Sequence, residues 1–255
     1  MKITMLGSGT SSGVPRIGND WGACDPAEPR NRRRRVSILV QTDEANILVD
    51  TGPDFREQML DANIRHLDAV FITHSHADHT HGIDDLRQFF HLMGRPVECY
   101  AAPGTWDHLY DRFKYVFEGR EGYEPTARAN SFGPGSLTIG DIQITAFPQV
   151  HGYITSWGFC FEREGERVCY STDFNEITEE GRSRVRGCDL WIVDSLRRRP
   201  HPTHAHLDRT LGWIKELCVK RAVLTHMDNS MDYRALCAEL PAGVEPGYDM
   251  LRIDL

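Results

Sequence analysis

Short runs of valine, isoleucine, leucine and aromatic residues recur along the chain, separated by turn residues such as glycine, proline and aspartate. Runs of this length and composition are typical of β-strands. The pattern predicts strands at 2–6, 37–42, 46–50, 69–73, 97–101, 142–148, 158–163, 167–172, 190–195, 221–226 and 250–254. Apolar residues at helical spacing predict helices over 82–93, 104–117 and 207–219. Because hairpin-spaced strands and helices are mixed, the order favours sheets covered by helices over a regular strand-helix-strand series.

The hairpin CFEREGERVC allows its register to be predicted. A turn centred on Glu164 and Gly165 would set Cys160 directly opposite Cys169. The chain has seven cysteines, and none lies in a C-x-C or C-x-x-C pair. We therefore expect reduced thiols rather than a disulfide framework or a cysteine-rich zinc site.

The segment 118–135 is polar, with scattered aromatic residues and several glycines and prolines. This composition predicts a loop. The loop is either a lid over a functional site or a plain surface excursion.

Composition and net charge limit the classes of molecule that the chain is expected to bind. The net charge is −8 at pH 7, which disfavours a long nucleic acid because polyanions bind to clustered cations. Basic clusters at 30–35 and 197–199 run against this trend and are either a site for a small anion or solvated loop arginines. The chain has no apolar run of about eighteen residues and no signal-peptide pattern, so we expect a cytoplasmic protein with no membrane partner.

The stretch THSHADHTHG at 73–82 holds the strongest chemical signal. His74 and His76 would share one face of the extended chain, and Asp78 and His79 follow in a turn that brings them to the same side. Imidazole and carboxylate groups suit zinc, manganese or iron, and they are costly to bury without a ligand. The spacing therefore predicts a metal site, with a solvated histidine-rich loop as the alternative.

More candidate ligands follow apolar runs elsewhere in the chain. His151, Asp173 and His226 each stand at the end of a predicted strand, where scaffold folds place site residues. Each one alone could equally be a capping residue. Together with the cluster at 73–82 they form a set large enough for two metals.

This set, in this order, resembles the metallo-β-lactamase superfamily. The resemblance covers nearly the whole chain and rests on ILVDTG with Asp50, THSHADH, His151, STD with Asp173, and LTH with His226. It implies one αββα sandwich domain over 1–255 with two divalent metal ions, zinc or manganese, in the cleft between the sheets.

The resemblance also implies the role of each ligand. The first metal would be bound by His74, His76 and His151, and the second by Asp78, His79 and His226. Asp173 would bridge the two, and Asp50 would orient a ligand histidine from behind.

Further motifs resemble one group within the superfamily. GSGTSSGVPRIG, PRNRRRRVSILV, HPTHAHL and LTHM are similar to phosphoribosyl cyclic phosphate phosphodiesterases of the carbon-phosphorus lyase pathway. The group commonly holds a structural zinc with a C-x-C-x-x-C run and a histidine just after LTH. Here only Cys24 remains, Asn19 and Trp21 stand in place of the first two cysteines, and 227–229 reads MDN. We therefore expect two metals per chain and no structural zinc.

The implied activity is hydrolysis of a small cyclic or diester phosphate by a metal-activated hydroxide. His204 is the candidate proton donor to the leaving oxygen, alongside Asp78 as a second candidate catalytic residue, and His206 is the alternative donor or a substrate contact. An RNA endonuclease of the ribonuclease Z type and a lactone or ester hydrolase on the same metals are the competing hypotheses. The expected partner is a small phosphodiester, and a homodimer is left open.

Overall fold

The computed structural model describes residues 1–133 and 135–255, and within them the chain forms fifteen strands and seven α-helices. The strands are β1 (Lys2–Gly7), β2 (Ser37–Gln41), β3 (Asn46–Val49), β4 (Ala69–Phe71), β5 (Val97–Ala101), β6 (Ala127–Ser131), β7 (Ser136–Ile139), β8 (Ile142–His151), β9 (Ile154–Arg163), β10 (Glu166–Ser171), β11 (Glu176–Ile177), β12 (Leu190–Asp194), β13 (Ala222–Thr225), β14 (Val244–Pro246) and β15 (Leu251–Asp254). The helices are α1 (Phe55–Ala62), α2 (Ala77–Thr80), α3 (Leu86–Met93), α4 (Pro103–Glu118), α5 (Glu179–Val185), α6 (Leu207–Glu216) and α7 (Tyr233–Glu239).

The strands form two sheets. The first has the order β15-β1-β2-β3-β4-β5-β6, and the second has the order β11-β8-β9-β10-β12-β13-β14 with β7 paired to β8. From β3 to β6 and from β10 through β12 to β14 the neighbouring strands are parallel. Because parallel strands end at the same edge, the residues that follow them are brought close together.

Three clusters of buried apolar side chains lie between the layers of the fold. One joins the facing sides of the two sheets, for example Ile3 and Phe71 with Phe159 and Ile192. The second packs the outer face of the first sheet against α1, α3 and α4, and the third packs the outer face of the second sheet against α5, α6 and α7. Helices therefore cover both sheets on their outer faces, and the predicted αββα sandwich is confirmed. Covering on both faces explains why strands such as β3 are apolar without alternation.

The predicted elements are largely confirmed, with shifted ends. The helix expected over 82–93 is divided into a 3-10 turn at Ile83–Asp85 and α3, and the short helix α2 before it was not predicted. The helix expected over 207–219 is α6, which ends earlier, at Glu216. Among the helices of the described chain, none is long and apolar enough to cross a bilayer.

The prediction of a loop or lid over 118–135 is wrong for part of the segment. Residues 127–131 form β6, the edge strand of the first sheet, which pairs in parallel with β5. An edge strand faces solvent on one side and tolerates polar residues such as those of ARANS, so its sequence lacks the apolar signal of a central strand. Position 134 of the predicted loop lies outside the described residues.

The hairpin register is confirmed. Cys160 lies opposite Cys169 across β9 and β10. Both sulfurs approach the Arg184 carbonyl oxygen, at 3.8 Å and 3.7 Å, and both residues are buried as free thiols. The pair is part of the packing beneath α5.

Candidate metal centre

Residues at or just after the ends of five strands meet at one edge of the sandwich. His74 follows β4, His151 is the last residue of β8, and Asp173 lies just after β10. His226 follows β13 directly, and Asp50 follows β3 directly. The sheets bring together residues from positions 50 to 226 of the chain, and the predicted set forms one cluster.

Three of these residues adopt left-handed backbone conformations. The φ angles are 66° at Asp50, 53° at Asp173 and 57° at His226. This conformation costs a residue with a side chain about 1 kcal/mol or more, so a fold retains it where something depends on the direction of the side chain. At each position the backbone turns sharply out of a strand and directs the side chain into the cluster.

The first group of donor atoms comprises His74, His76, His151 and Asp173, whose donors all lie within 4.8 Å of one another. His74 Nε2 is 2.9 Å from His76 Nδ1. The Nε2 atoms of His74 and His151 are each 3.9 Å from Asp173 Oδ1. Three ring nitrogens and one carboxylate oxygen thus converge on a common point.

The second group comprises Asp78, His79, His226 and again Asp173. Asp173 Oδ2 lies 3.2 Å from His79 Nε2 and 3.4 Å from His226 Nε2. Asp78 Oδ2 lies 3.4 Å from His79 Nε2 and 3.8 Å from His226 Nε2. Asp173 therefore directs one oxygen toward each group, which is the arrangement of a carboxylate that bridges two cations.

The chemistry of this cluster fits metal binding. Among the described residues, His79 Nε2 and His226 Nε2 are buried without a hydrogen-bond partner, a costly state unless a ligand satisfies them. Burial alone would lower the pKa of both histidines, but the carboxylates of Asp173 and Asp78 outweigh it. The pKa of His79 is raised well above its usual value, and that of His226 to about 9. The raised pKa values reflect the negative charge of these carboxylates, which bound cations would neutralise.

Two histidines of these groups are oriented by partners behind them. His79 Nδ1 lies 2.7 Å from Asp50 Oδ2, so that it donates to the carboxylate and leaves Nε2 free to bind a cation. Asp50 in turn accepts hydrogen bonds from the Thr73 backbone N–H at 2.8 Å and from the Thr73 hydroxyl. His151 Nδ1 lies 2.7 Å from the Thr203 carbonyl oxygen, which orients it in the same way.

Replacing Asp50 by asparagine should weaken metal binding by about 10- to 100-fold, because His79 then loses the charged acceptor that holds its tautomer. Competition with a chelating dye measures the change. Asp43→Asn, which alters an exposed aspartate of the β2–β3 turn, is the matched control and should bind metal normally. Unchanged affinity in Asp50→Asn would show that Asp50 is dispensable for orienting His79.

His204 faces the cluster from α6's side of the cleft. Its Nδ1 lies 3.0 Å from Asp194 Oδ2, and its Nε2 lies 3.9 Å from Asp173 Oδ1. The ring stacks on that of His226, with centroids 4.7 Å apart. Asp194 was missed at the sequence level, although it ends the run LWIVD exactly as other site residues end theirs.

Two other histidines of these motifs lie elsewhere. His206 is the residue before the first turn of α6 and is not among the residues that line the cleft. His81 is exposed and packs edge-on against Phe113 of α4. Position on the fold thus distinguishes His204 from its neighbours, which spacing alone could not do.

Five of the seven donor residues line a cleft of about 220 Å³, and His74 and His79 lie behind them. Its walls are formed by residues from both sheets and from the loop after β1, and they are Ser11, His76, Asp78, His151, Tyr153, Ile154, Asp173, Thr203, His204 and His226. Tyr153, in the turn between β8 and β9, is 94% exposed at the rim. Ser11, Tyr153 and Ile154 carried no signal in the sequence, because they enter the site only through folding.

The basic cluster at 30–35 is engaged with the protein itself. Arg33 is buried, Arg34 pairs with Asp61 at 2.7 Å, and Arg35 pairs with Asp54 at 3.0 Å. None of these three arginines lines the cleft in the described chain. The structure thus favours contacts within the chain over the binding of a small anion.

Comparison with known proteins agrees with this geometry. Residues 45–227 match the model of the β-lactamase superfamily domain. The chain belongs to the β-lactamase superfamily. It is a metal-dependent hydrolase with the fold of that family, as the sequence motifs predicted.

Several known proteins are similar to this β-lactamase superfamily protein in sequence or in fold. A crystallised diphosphatase from the PhnP family is 34% identical, with a TM-score of 0.91 over 100% of this chain and 97% of that one. An octanoyltransferase of Porphyromonas gingivalis is 33% identical over 98% of this chain, which spans 51% of that relative's length. Zinc-bound PqqB of Methylobacterium extorquens shares the fold, with a TM-score of 0.79 and 20% identity over the whole of both chains.

Proposed function

We propose that this protein hydrolyses a small phosphodiester, cyclic or linear, with two divalent metal ions of zinc or manganese. The observation that carries the proposal is Asp173, whose two oxygens face two separate groups of donors, mostly buried, beside a small cleft. Two cations placed side by side are a recurring device for cleaving phosphate esters.

The residues of this chain divide into two ligand sets. The first metal would be held by His74, His76 and His151, and the second by Asp78, His79 and His226, with Asp173 between them. When bound, such cations lower the pKa of a water molecule to about 7 and neutralise phosphoryl oxygens. Asp50 and the Thr203 carbonyl hold the histidine rings in the orientation that binding requires.

His204 is placed to donate a proton to the leaving oxygen. Its Nδ1 is engaged by Asp194, so its Nε2 is the atom that faces the cleft. An alkoxide is a poor leaving group, and a positioned acid typically contributes two to four decades in rate. Asp194, buried at the end of β12, sets the tautomer and orientation of the ring.

The cleft and the relatives support a small phosphate substrate. A volume of about 220 Å³ accommodates a phosphate group with part of one sugar, and the exposed Tyr153 offers an apolar face at the rim. The similar diphosphatase acts, by its name, on a bond to phosphorus. A ribonuclease Z activity is disfavoured because the chain is acidic and arginines 33–35 are engaged internally.

We also propose that two metals complete the centre, with none bound at Cys24. Asn229 bonds to the loop before Cys24, through its side chain to Asp20 at 3.0 Å and through its carbonyl to the Ala23 N–H at 2.8 Å. Cys24 Sγ is 3.7 Å from an Arg33 nitrogen, and burial raises the pKa of its thiol. A raised thiol pKa disfavours the thiolate that binds zinc.

The decisive experiment is a turnover panel on protein reconstituted with zinc or with manganese. The panel comprises bis-p-nitrophenyl phosphate, ribose and nucleoside cyclic phosphates, a diphosphate ester, p-nitrophenyl octanoate, a lactone and a tRNA precursor. The octanoate tests acyl chemistry, which the name of one relative suggests. We expect turnover of phosphodiesters, with two metal equivalents per chain and loss of activity on chelation. A metal-loaded protein that cleaves only the acyl substrates or only the RNA would refute the proposal.

A further inference from the structure

Arg33 stands apart from its neighbouring arginines because its side chain lies inside the protein. It is 2% exposed, although arginine is among the residues least often buried. A buried guanidinium persists only where several acceptors satisfy its fixed fork of donors. The acceptors of Arg33 come from separate segments of the chain.

The guanidinium connects the loop after His226 to the N-terminal third of the chain. Nη1 donates to the Asp228 carbonyl oxygen at 3.2 Å, and Nη2 donates to the Met231 carbonyl oxygen at 2.6 Å. On the other side, the same two nitrogens approach Cys24 Sγ at 3.7 Å and Asn31 Oδ1 at 3.4 Å. One side chain thus holds the β1–β2 connection and the β13–α7 connection together.

Backbone hydrogen bonds link Arg33 and the residues after His226 to the loop that forms one wall of the cleft. Arg33 exchanges N–H to carbonyl bonds with Val14, each 2.9 Å long. Met227 donates to the Ser8 carbonyl oxygen at 3.0 Å and accepts from the Thr10 N–H at 3.2 Å. Ser11, which lines the cleft, therefore lies in a loop anchored by the backbones of Met227 and Arg33, and the Arg33 side chain acts on this loop by holding the residues that follow Met227.

We propose that Arg33 is a positioning residue that fixes both His226 and the Ser8–Val14 loop against the metal centre. The inference rests on the proposed function in treating His226 as a metal ligand. His226 has a left-handed backbone at the end of β13, so the residues after it must be held for its ring to keep its direction. Neither nitrogen of that ring has a hydrogen-bond partner among the described residues, so the ring depends on its stacking against His204 and on the loop that follows it.

The other ligand set provides an internal reference. His74, His76 and His151 belong to the β4–α2 connection and to β8, and the Arg33 side chain makes no hydrogen bond to them in the described chain. Loss of Arg33 should therefore disturb the two halves of the centre unequally. A residue that only contributes overall stability would affect both halves alike.

The test uses Arg33→Met and Arg33→Lys, with Arg34→Met as the matched control. Arg34 is adjacent in sequence, but its guanidinium pairs with Asp61 at the surface. Hydrogen exchange of the metal-free proteins is followed by mass spectrometry in peptides covering 8–14, 225–231 and 142–151, the last of which is β8 with His151 of the other ligand set. We expect Arg33→Met to speed exchange about tenfold or more in the first two segments and to leave 142–151 unchanged. Arg33→Lys should show a partial effect with the same pattern, and Arg34→Met none.

Metal content after dialysis against a limiting chelator is the second readout. Wild-type protein should retain two equivalents and Arg33→Met about one. Uniform acceleration of exchange, or wild-type exchange in both segments, would overturn the inference, and if Arg33→Met does not fold then Arg33→Lys decides by the same comparison. Fewer than two equivalents in the wild-type protein would instead count against the proposed function, whatever the exchange of the variants.

Discussion

Replacing Asp173 by asparagine should reduce phosphodiester turnover by about a thousandfold or more. The carboxylate is 2% exposed and presents one oxygen to each group of donors. An amide keeps one oxygen but turns an NH₂ group toward the other set of ring nitrogens and removes a charge. A loss of about 4 kcal/mol, equivalent to about a thousandfold in rate, is typical when charge stabilisation at such a centre is removed.

The measurement is kcat/KM on bis-p-nitrophenyl phosphate together with metal content. We expect Asp173→Asn to hold fewer than two metal equivalents at concentrations that saturate the wild-type protein. Asp189→Asn is the control, since Asp189 pairs with Lys220 at the surface beside the same sheet and lies away from the cleft. A variant at position 173 with both metals and more than a tenth of the activity would rule out a bridging role.

Replacing His204 by alanine should slow cleavage of a diester with an alkyl leaving group by two to four decades. The loss should depend on whether the leaving oxygen needs a proton. His204 would supply that proton from Nε2, which faces the cleft, while Asp194 engages Nδ1. A p-nitrophenolate leaves without a proton, so bis-p-nitrophenyl phosphate should lose far less activity. The ratio of the two losses is therefore the informative number.

Two further variants test the same assignment. His206→Ala should retain nearly full activity on both substrates, because His206 precedes α6 and does not line the cleft. Asp194→Asn should show a smaller loss than His204→Ala with the same dependence on leaving group, since it disturbs the tautomer and not the acid itself. Equal losses of His204→Ala on both substrates would indicate a role in binding rather than in protonation.

Some of the site was predictable because its signal is local. The spacing of His74, His76, Asp78 and His79 can be read within one turn of chain, and isolated polar residues after apolar runs marked Asp173 and His226. Asp194 gave the same kind of signal after LWIVD and was overlooked. Parallel strands end at a common edge, so such residues converge in any sheet of this type.

Other features had no local signal. The edge strand β6 is polar because only one of its sides is paired, so it was predicted as a loop. Arg33 looked like a member of a surface cluster, and only its burial among carbonyl oxygens revealed an internal cation. The choice between His204 and His206 depends on which ring enters the cleft, and their similar surroundings in HPTHAHL conceal this.

The motifs and their spacing were enough to indicate the family, and the resemblance to that family implied the αββα sandwich and the candidate metal ligands, because motif spacing is a short-range property of the chain. How those residues act together became visible only in the folded chain. The division of Asp173's oxygens between two groups, the pairing of His204 with Asp194 and the connection through Arg33 join residues far apart in the chain. Such contacts depend on the register and stacking of two sheets, and no local pattern encodes a distance across that stack.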